Sequence, residues 1–246
     1  MTNSSTETYF GPGNGRQLLD ELQGAARSVK VCSPYLSSET IFDLVGLHNR
    51  GVAVELITTD ELGLPEPQML IKQERIDDPE GRARKKTVQR LYLVLFLIFS
   101  AFTAYLFSSI EAAELFTGAL LTLIFGYASY FIFKKLLKTR HMAACRYIYK
   151  PIFPLRIVVK PKPPYTDSRA EFVHAKLYII DERILWTGSL NFTQLGLFRN
   201  YEVAVRIDDP ETVSRAVRCF GDLINGSRTS LELDTIGRAI HHESPY

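Results

Sequence analysis

His174 and Lys176 stand two residues apart in a run, Val173 to Ile180, that alternates as a β-strand. A period of two puts both side chains on one face. An imidazole and an ammonium so placed form a receptor for an anionic centre. Lys176 can hold a phosphate oxygen as a point charge. His174 can attack phosphorus, because imidazole is nucleophilic and titrates near neutrality. The segment Thr187-Gly-Ser-Leu-Asn-Phe-Thr193 follows. A turn at Gly188 brings Ser189 and Asn191 back as hydrogen-bond donors to non-bridging oxygens. Asp181 can accept bonds that fix backbone or Lys176. Glu202 is the candidate carboxylate that sets the His174 tautomer and stabilises its charged form. The predicted catalytic set is therefore His174, Lys176, Asp181, Ser189, Asn191 and Glu202. Lys176, Ser189, Asn191 and Asn200 are the predicted substrate contacts.

The elements that must position these groups alternate in type. Gly15 to Arg27 has Leu18, Leu19, Leu22, Ala25 and Ala26 at helical spacing, and Val29 to Cys32 reads as a short buried strand ended by Ser33-Pro34. A second helix carries Ile41, Leu44 and Leu47, with Ser37 or Ser38 as its cap, and Val52 to Thr58 is a second strand. This order favours an α/β fold with a largely parallel core sheet. Further strands are expected at 155–159, 184–187 and 203–207, and a helix from Thr212 to Asn225. Residues 1–14 read as a flexible polar lead-in, without the basic and apolar regions of a signal peptide. The expected organisation is a first half-domain at 15–60, an insertion at 61–145, a second half-domain at 146–228 and a tail at 229–246.

His174-x-Lys176-x4-Asp181-x6-Gly188-Ser189-x-Asn191 resembles the His-Lys-Asp signature of the phospholipase D superfamily. The string TGSLNFT with Asn200-Tyr-Glu202 resembles its small bacterial nuclease branch. The resemblance is strongest over 172–206 and weaker over 15–58. It implies an α/β fold, a phospholipase D-like mixed sheet flanked by helices. It also implies phosphodiester cleavage through a phosphohistidine, without a metal or any other cofactor. Family members pair two motifs about a pseudo-twofold axis, one His attacking phosphorus and the other protonating the leaving oxygen. A single motif, as here, implies a homodimer with a shared site.

Two uncharged apolar runs interrupt the domain, Leu91 to Ile110 and Leu115 to Phe133. Each is about 20 residues, enough to cross a ~30 Å hydrocarbon layer as a helix. Only Glu111-Ala-Ala-Glu114 separates them, so they form a hairpin inserted into the domain. Arg82, Arg84, Lys85, Lys86 and Arg90 precede it; Lys134, Lys135, Lys138 and Arg140 follow it. The positive-inside rule then places both chain ends and the catalytic domain on the cytoplasmic side of an inner membrane.

Composition narrows the rest. The chain has 246 residues, 46% of them hydrophobic, with a net charge of +2. Residues 1–60 hold four basic against seven acidic side chains, whereas 146–206 hold ten against five. A basic second half suits an anionic substrate. Cys32, Cys145 and Cys219 are far apart and odd in number, which predicts reduced, mostly buried thiols and no zinc site. Three functions compete. An endonuclease or other nucleic-acid phosphodiesterase rests on TGSLNFT and the basic segment. An enzyme acting on anionic phospholipid rests on the hairpin. A non-catalytic membrane scaffold has no need of the complete His, Lys, Asp, Ser and Asn set.

Overall fold

Alternating apolar residues at 29–32, 54–58 and 177–186 become the middle of a seven-stranded mixed sheet in the computed structural model, which describes residues 5–63, 65–108, 115–139, 145–160, 172–226 and 232–240. In chain order the elements are β1 (Thr6–Gly11), α1 (Gly15–Gln23), β2 (Ser28–Cys32), α2 (Ser38–Asn49), β3 (Ala53–Thr59), α3 (Pro65–Leu70), β4 (Ile71–Asp77), α4 (Pro79–Ser108) and α5 (Leu115–Thr139). These are followed by β5 (Cys145–Pro151), β6 (Leu155–Val158), β7 (Leu177–Ile180), β8 (Ile184–Gly188), α6 (Gln194–Phe198), β9 (Glu202–Ile207), α7 (Pro210–Asn225) and α8 (Leu233–Ile240). Two compact units result, Met1–Gln73 with Tyr149–Tyr246 and Glu74–Ile148.

The first unit is built on a sheet of order β1-β9-β8-β7-β2-β3-β6. Only β2, β3 and β6 run parallel; β7, β8, β9 and β1 are antiparallel to their neighbours. The expectation of a largely parallel sheet is thus corrected. The turn at Asp181–Arg183 is too short for the helical crossover a parallel pair needs, so β7 and β8 pair antiparallel. The central strands β2, β3, β7 and β8 bury both faces. Cys32, Ile57, Val158, Ile179 and Leu185 meet Val213 and Phe220 of α7. The alternate residues Val31, Leu56, Tyr178 and Trp186 are equally buried, and Trp186 Nε1 donates to Glu21 of α1 at 2.8 Å. Local chemistry sets helix starts. Asp209 Oδ2 accepts the Thr212 N–H at 2.8 Å ahead of Pro210, which needs no N–H in a first turn.

Several sequence expectations change here. Thr6–Gly11, read as flexible, is an edge strand paired with β9 in register Tyr9↔Ala204. Tyr9 stacks on Trp186 at 5.2 Å, and Ser5 Oγ donates to Asp208 at 2.8 Å. The partner lies about 200 positions away, so local pattern could not announce it. The tail contains α8, whose Gly237 lets the Tyr149 ring approach so closely that an added Cβ would sit 2.1 Å from Cγ. The β7 ladder starts at Leu177, so His174 and Lys176 precede the strand instead of lying in it. Strand β5 and helix α6 were not anticipated. Of the thiols only Cys32 is buried; Cys145 is half-buried and Cys219 exposed. Pro79 and Gly81 fall in the first turn of α4. Residues 111–114, Arg140, residues 161–171 and the end of the tail lie outside the described residues.

In the second unit α4 and α5 pack side by side. Phe102 meets Phe125 at 4.7 Å, and the Ser100 and Ser129 hydroxyls bond at 2.7 Å. Both helices are long and apolar enough to cross a membrane. Within the structure 0% of the apolar window of α4 and 6% of that of α5 is buried, so these are not the core helices of a soluble domain.

Candidate active site

Five chain segments converge at one end of the main sheet: the end of β2, the approach to β7, the loop after β8, the start of β9 and the end of β1. Register brings them together, since Cys32 pairs with Leu177, Leu177 with Thr187, Gly188 with Ala204 and Gly11 with Glu202. The β7 approach presents an exposed His174 and a buried Lys176. The Lys176 ammonium lies 3.1 Å from His174 Nδ1 and 3.2 Å from Nε2, and donates to the His174 carbonyl at 2.8 Å. Thr187 Oγ1 donates to the Lys176 carbonyl at 3.1 Å and so fixes the approach to β8. Burial lowers the Lys176 pKa, against the opposing pull of the Glu202 carboxylate and Cys32.

The loop after β8 is held from three sides. Gly188 has φ +149°, and an added Cβ would lie 2.0 Å from the Val203 carbonyl oxygen. Ser33 Oγ accepts the Phe192 N–H at 2.9 Å and donates to the Tyr35 carbonyl at 2.8 Å. Thr40 Oγ1 donates to the Phe192 carbonyl at 2.7 Å, and Tyr178 donates to the Leu190 carbonyl at 2.6 Å. Asn191 is half-buried, and its buried Oδ1 has no partner among the described residues. Tyr178 is fully buried and its hydroxyl is pushed up in pKa by that burial.

Glu202 departs from its expected place. Its carboxylate takes a hydrogen bond from Ser189 Oγ and another, 3.2 Å long, from Asn200 Nδ2. Ser189 in turn accepts the Val203 N–H at 3.0 Å, and Asn14 Nδ2 donates to the Glu202 carbonyl at 2.9 Å. No bond joins Glu202 to His174 among those described. The carboxylate therefore aligns Ser189 and Asn200 and offsets the Lys176 charge, instead of setting the imidazole tautomer. Asp181 is also displaced. It follows the far end of β7, so a four-residue strand, roughly 13 Å, separates it from Lys176. There its carboxylate accepts backbone N–H bonds from Ala26 at 3.1 Å, Arg27 at 2.7 Å and Ser28 at 2.9 Å. Burial opposes ionisation, but these bonds outweigh it and hold the Asp181 pKa below the usual carboxylate range. Of its two expected roles Asp181 takes the backbone one.

His174, Lys176, Ser189, Asn191, Asn200 and Glu202 are thus brought to one sheet end, and Asp181 to the other. Residues 132–224 match the family model described as the cardiolipin synthase, PLD-like domain. Residues 132–224 thus form a phospholipase D-like domain. The match runs from within α5 to within α7 and includes the whole His174–Glu202 stretch of the phospholipase D-like domain. Solved structures that align with the chain include NucT from Helicobacter pylori, at 14% identity and TM-score 0.47, covering 93% of this chain and 99% of that one. Nuc from Salmonella typhimurium, a phospholipase D family member, aligns at 15% identity and TM-score 0.44 over 93% and 97%. Phosphatidylserine synthase from Haemophilus influenzae Rd KW20 aligns at 12% identity and TM-score 0.45 over 96% of this chain and 42% of that one. No curated protein matches the chain.

Sequence reasoning passed over Ser33, Thr40, Tyr178 and Asn14. Ser33-Pro34-Tyr35 was legible as a turn after β2. That its hydroxyl would tie down the 189–193 loop depends on the β2–β7–β8 order, which local pattern does not contain. Phe172 was also passed over. Its ring lies 5.6 Å from that of His174, with the Lys160 ammonium 5.7 Å from its centroid.

Proposed function

We propose that the chain is a membrane-anchored phosphodiesterase that works through a phosphohistidine, with nucleic acid as its substrate. The observation behind the reading is the Lys176 ammonium lodged against the His174 ring beside the Ser189–Asn191 loop. A phosphodiester in this place meets a cation, a nucleophilic ring nitrogen and polar donors. The His174 lone pair forms the P–N bond as the P–O bond to the leaving oxygen breaks. That oxygen takes a proton from a second imidazole, supplied by His174 of a second copy. Water then attacks the phosphohistidine, returns its proton to the same imidazole and frees the His174 nitrogen. The resemblance to the superfamily supports a reaction without metal. Phe172 beside His174 and the Phe10–Tyr201 pair beside Glu202, centroids 6.2 Å apart and both rings 75% exposed, support nucleic acid. Exposed rings among cations stack bases without regard to sequence.

A second reading, phosphatidyl hydrolysis or transfer on anionic phospholipid, is favoured by the two unburied apolar helices, which would hold the chain at a headgroup layer. The same helices, with their basic flanks, support an integral membrane protein whose domain faces the cytoplasm. The deciding experiment incubates the full chain in detergent with single-stranded DNA and RNA, and separately with phosphatidylglycerol vesicles, all in EDTA. Cleavage of nucleic acid is expected, reduced about 10³-fold in His174→Ala. Turnover of lipid alone would transfer the mechanism to the second reading. Activity that EDTA abolishes, or that survives in His174→Ala, would overturn the mechanism itself.

A further inference from the structure

The hairpin turns basic at one end, and there it has a built groove. On α4, Lys86, Gln89, Arg90 and Leu93 recur at three- and four-residue spacing and so share a face. With Leu136 of α5 they line a groove of about 330 Å³. Its chemistry changes along the helix axis. Lys86 and Arg90 lie ~6 Å apart, and Leu93 lies ~4.5 Å beyond Arg90 towards the apolar span. Lys86 and Arg90 are exposed and have no ion-pair partner among the described residues. Two of the three lysines of α5 differ, since Lys134 stands 5.5 Å over Tyr130 and Lys135 stands 5.4 Å over Phe131. Beyond Glu80, α4 has no acidic residue, and α5 has none at all. The groove therefore presents two uncompensated cations and an amide above an aliphatic floor.

We propose that this groove is a binding site for one anionic phospholipid. The phosphate lies against Lys86 and Arg90, the Gln89 amide donates to a headgroup oxygen, and an acyl chain follows Leu93 and Leu136. A zwitterionic lipid fits poorly, because its cationic headgroup would meet the same two cations. The site rests on the reading that the hairpin lies in a membrane.

Native mass spectrometry of the full chain in mild detergent, titrated with phosphatidylglycerol or phosphatidylcholine, tests the site. One phosphatidylglycerol per chain is expected, with phosphatidylcholine binding much more weakly. Lys86→Gln with Arg90→Gln should weaken phosphatidylglycerol about 30-fold, since each basic residue near a lipid surface contributes ~1 kcal/mol. Arg82→Gln with Arg84→Gln removes the same charge outside the groove and should change binding less than threefold. Arg90→Lys should retain most of the affinity, and helical content by circular dichroism should match wild type throughout. Equal losses in the two double variants, or equal binding of both lipids, would overturn the site and leave a diffuse basic collar. Alkaline carbonate extraction separates the two ideas. Release of the chain from membranes would overturn the membrane reading, whereas retention with unchanged affinity in Lys86→Gln/Arg90→Gln would overturn the groove alone.

Discussion

Asp181 shows how a residue singled out for chemistry by its spacing can stand at the other end of the sheet from the rest. Asp181 and Glu182 both have φ of 53°, a left-handed conformation in which an Asp or Asn is tolerated. From there the carboxylate gathers three consecutive N–H groups at the α1–β2 junction. Asp181→Asn keeps the backbone conformation but removes the charge and half the acceptor capacity. It should cost about 2 kcal/mol in urea unfolding. The pH dependence has a definite sign. The folded-state pKa is depressed, so the contribution is fully present above the unfolded value of ~3.9 and is lost as pH falls through the folded value. The gap between wild type and Asp181→Asn should stay constant from about pH 7 to 5 and close below about pH 4. A gap that closes between about pH 6 and 7 would contradict it. At Gly188 the constraint is steric. Gly188→Ala meets the Val203 carbonyl at 2.0 Å in an unfavourable φ, so it should lose at least ~2 kcal/mol and most activity.

At the scale of elements, the site is a loop pinned between strand ends. Tyr178→Phe tests the pinning with little change of volume. It leaves the Leu190 carbonyl without its donor in a buried place, so a loss of about 1–2 kcal/mol is expected, read as a lower urea midpoint at unchanged slope. Turnover should fall while the His174–Lys176 pair remains. The residues proposed to do chemistry were singled out by type and spacing, and His174, Lys176, Ser189, Asn191 and Asn200 all arrive at one sheet end. The strands at 28–32, 53–59 and 202–207 were legible from alternation and turn residues. What stayed hidden depends on pairing between distant segments. β1 was invisible because Tyr9 and Phe10 gain partners only across to β9. The antiparallel half of the sheet was invisible because alternation records burial, not direction. Glu202 was read as an imidazole partner because sequence places it near His174 without saying which side chain it faces.

At the scale of the molecule, one motif per chain has a consequence that concentration and mixing can expose. The described site supplies one imidazole, His174, beside Lys176, whereas the proposed reaction needs a second to protonate the leaving oxygen. We expect that second imidazole from another copy, which makes catalysis a property of pairs. If each active pair needs His174 from both members, subunit exchange between wild type and His174→Ala has a quadratic signature. At equal amounts, random pairing leaves about one quarter of the pairs intact, so activity should settle near 25% of that of the same total of wild type. Independent chains would give about one half. The exchange should be run in mixed micelles and followed until activity is constant. Lys176→Met serves as a second inactive partner and should give the same quarter. A value near one half with both variants, together with an active monomer by light scattering, would overturn the shared site and require the second proton donor to be sought within one chain.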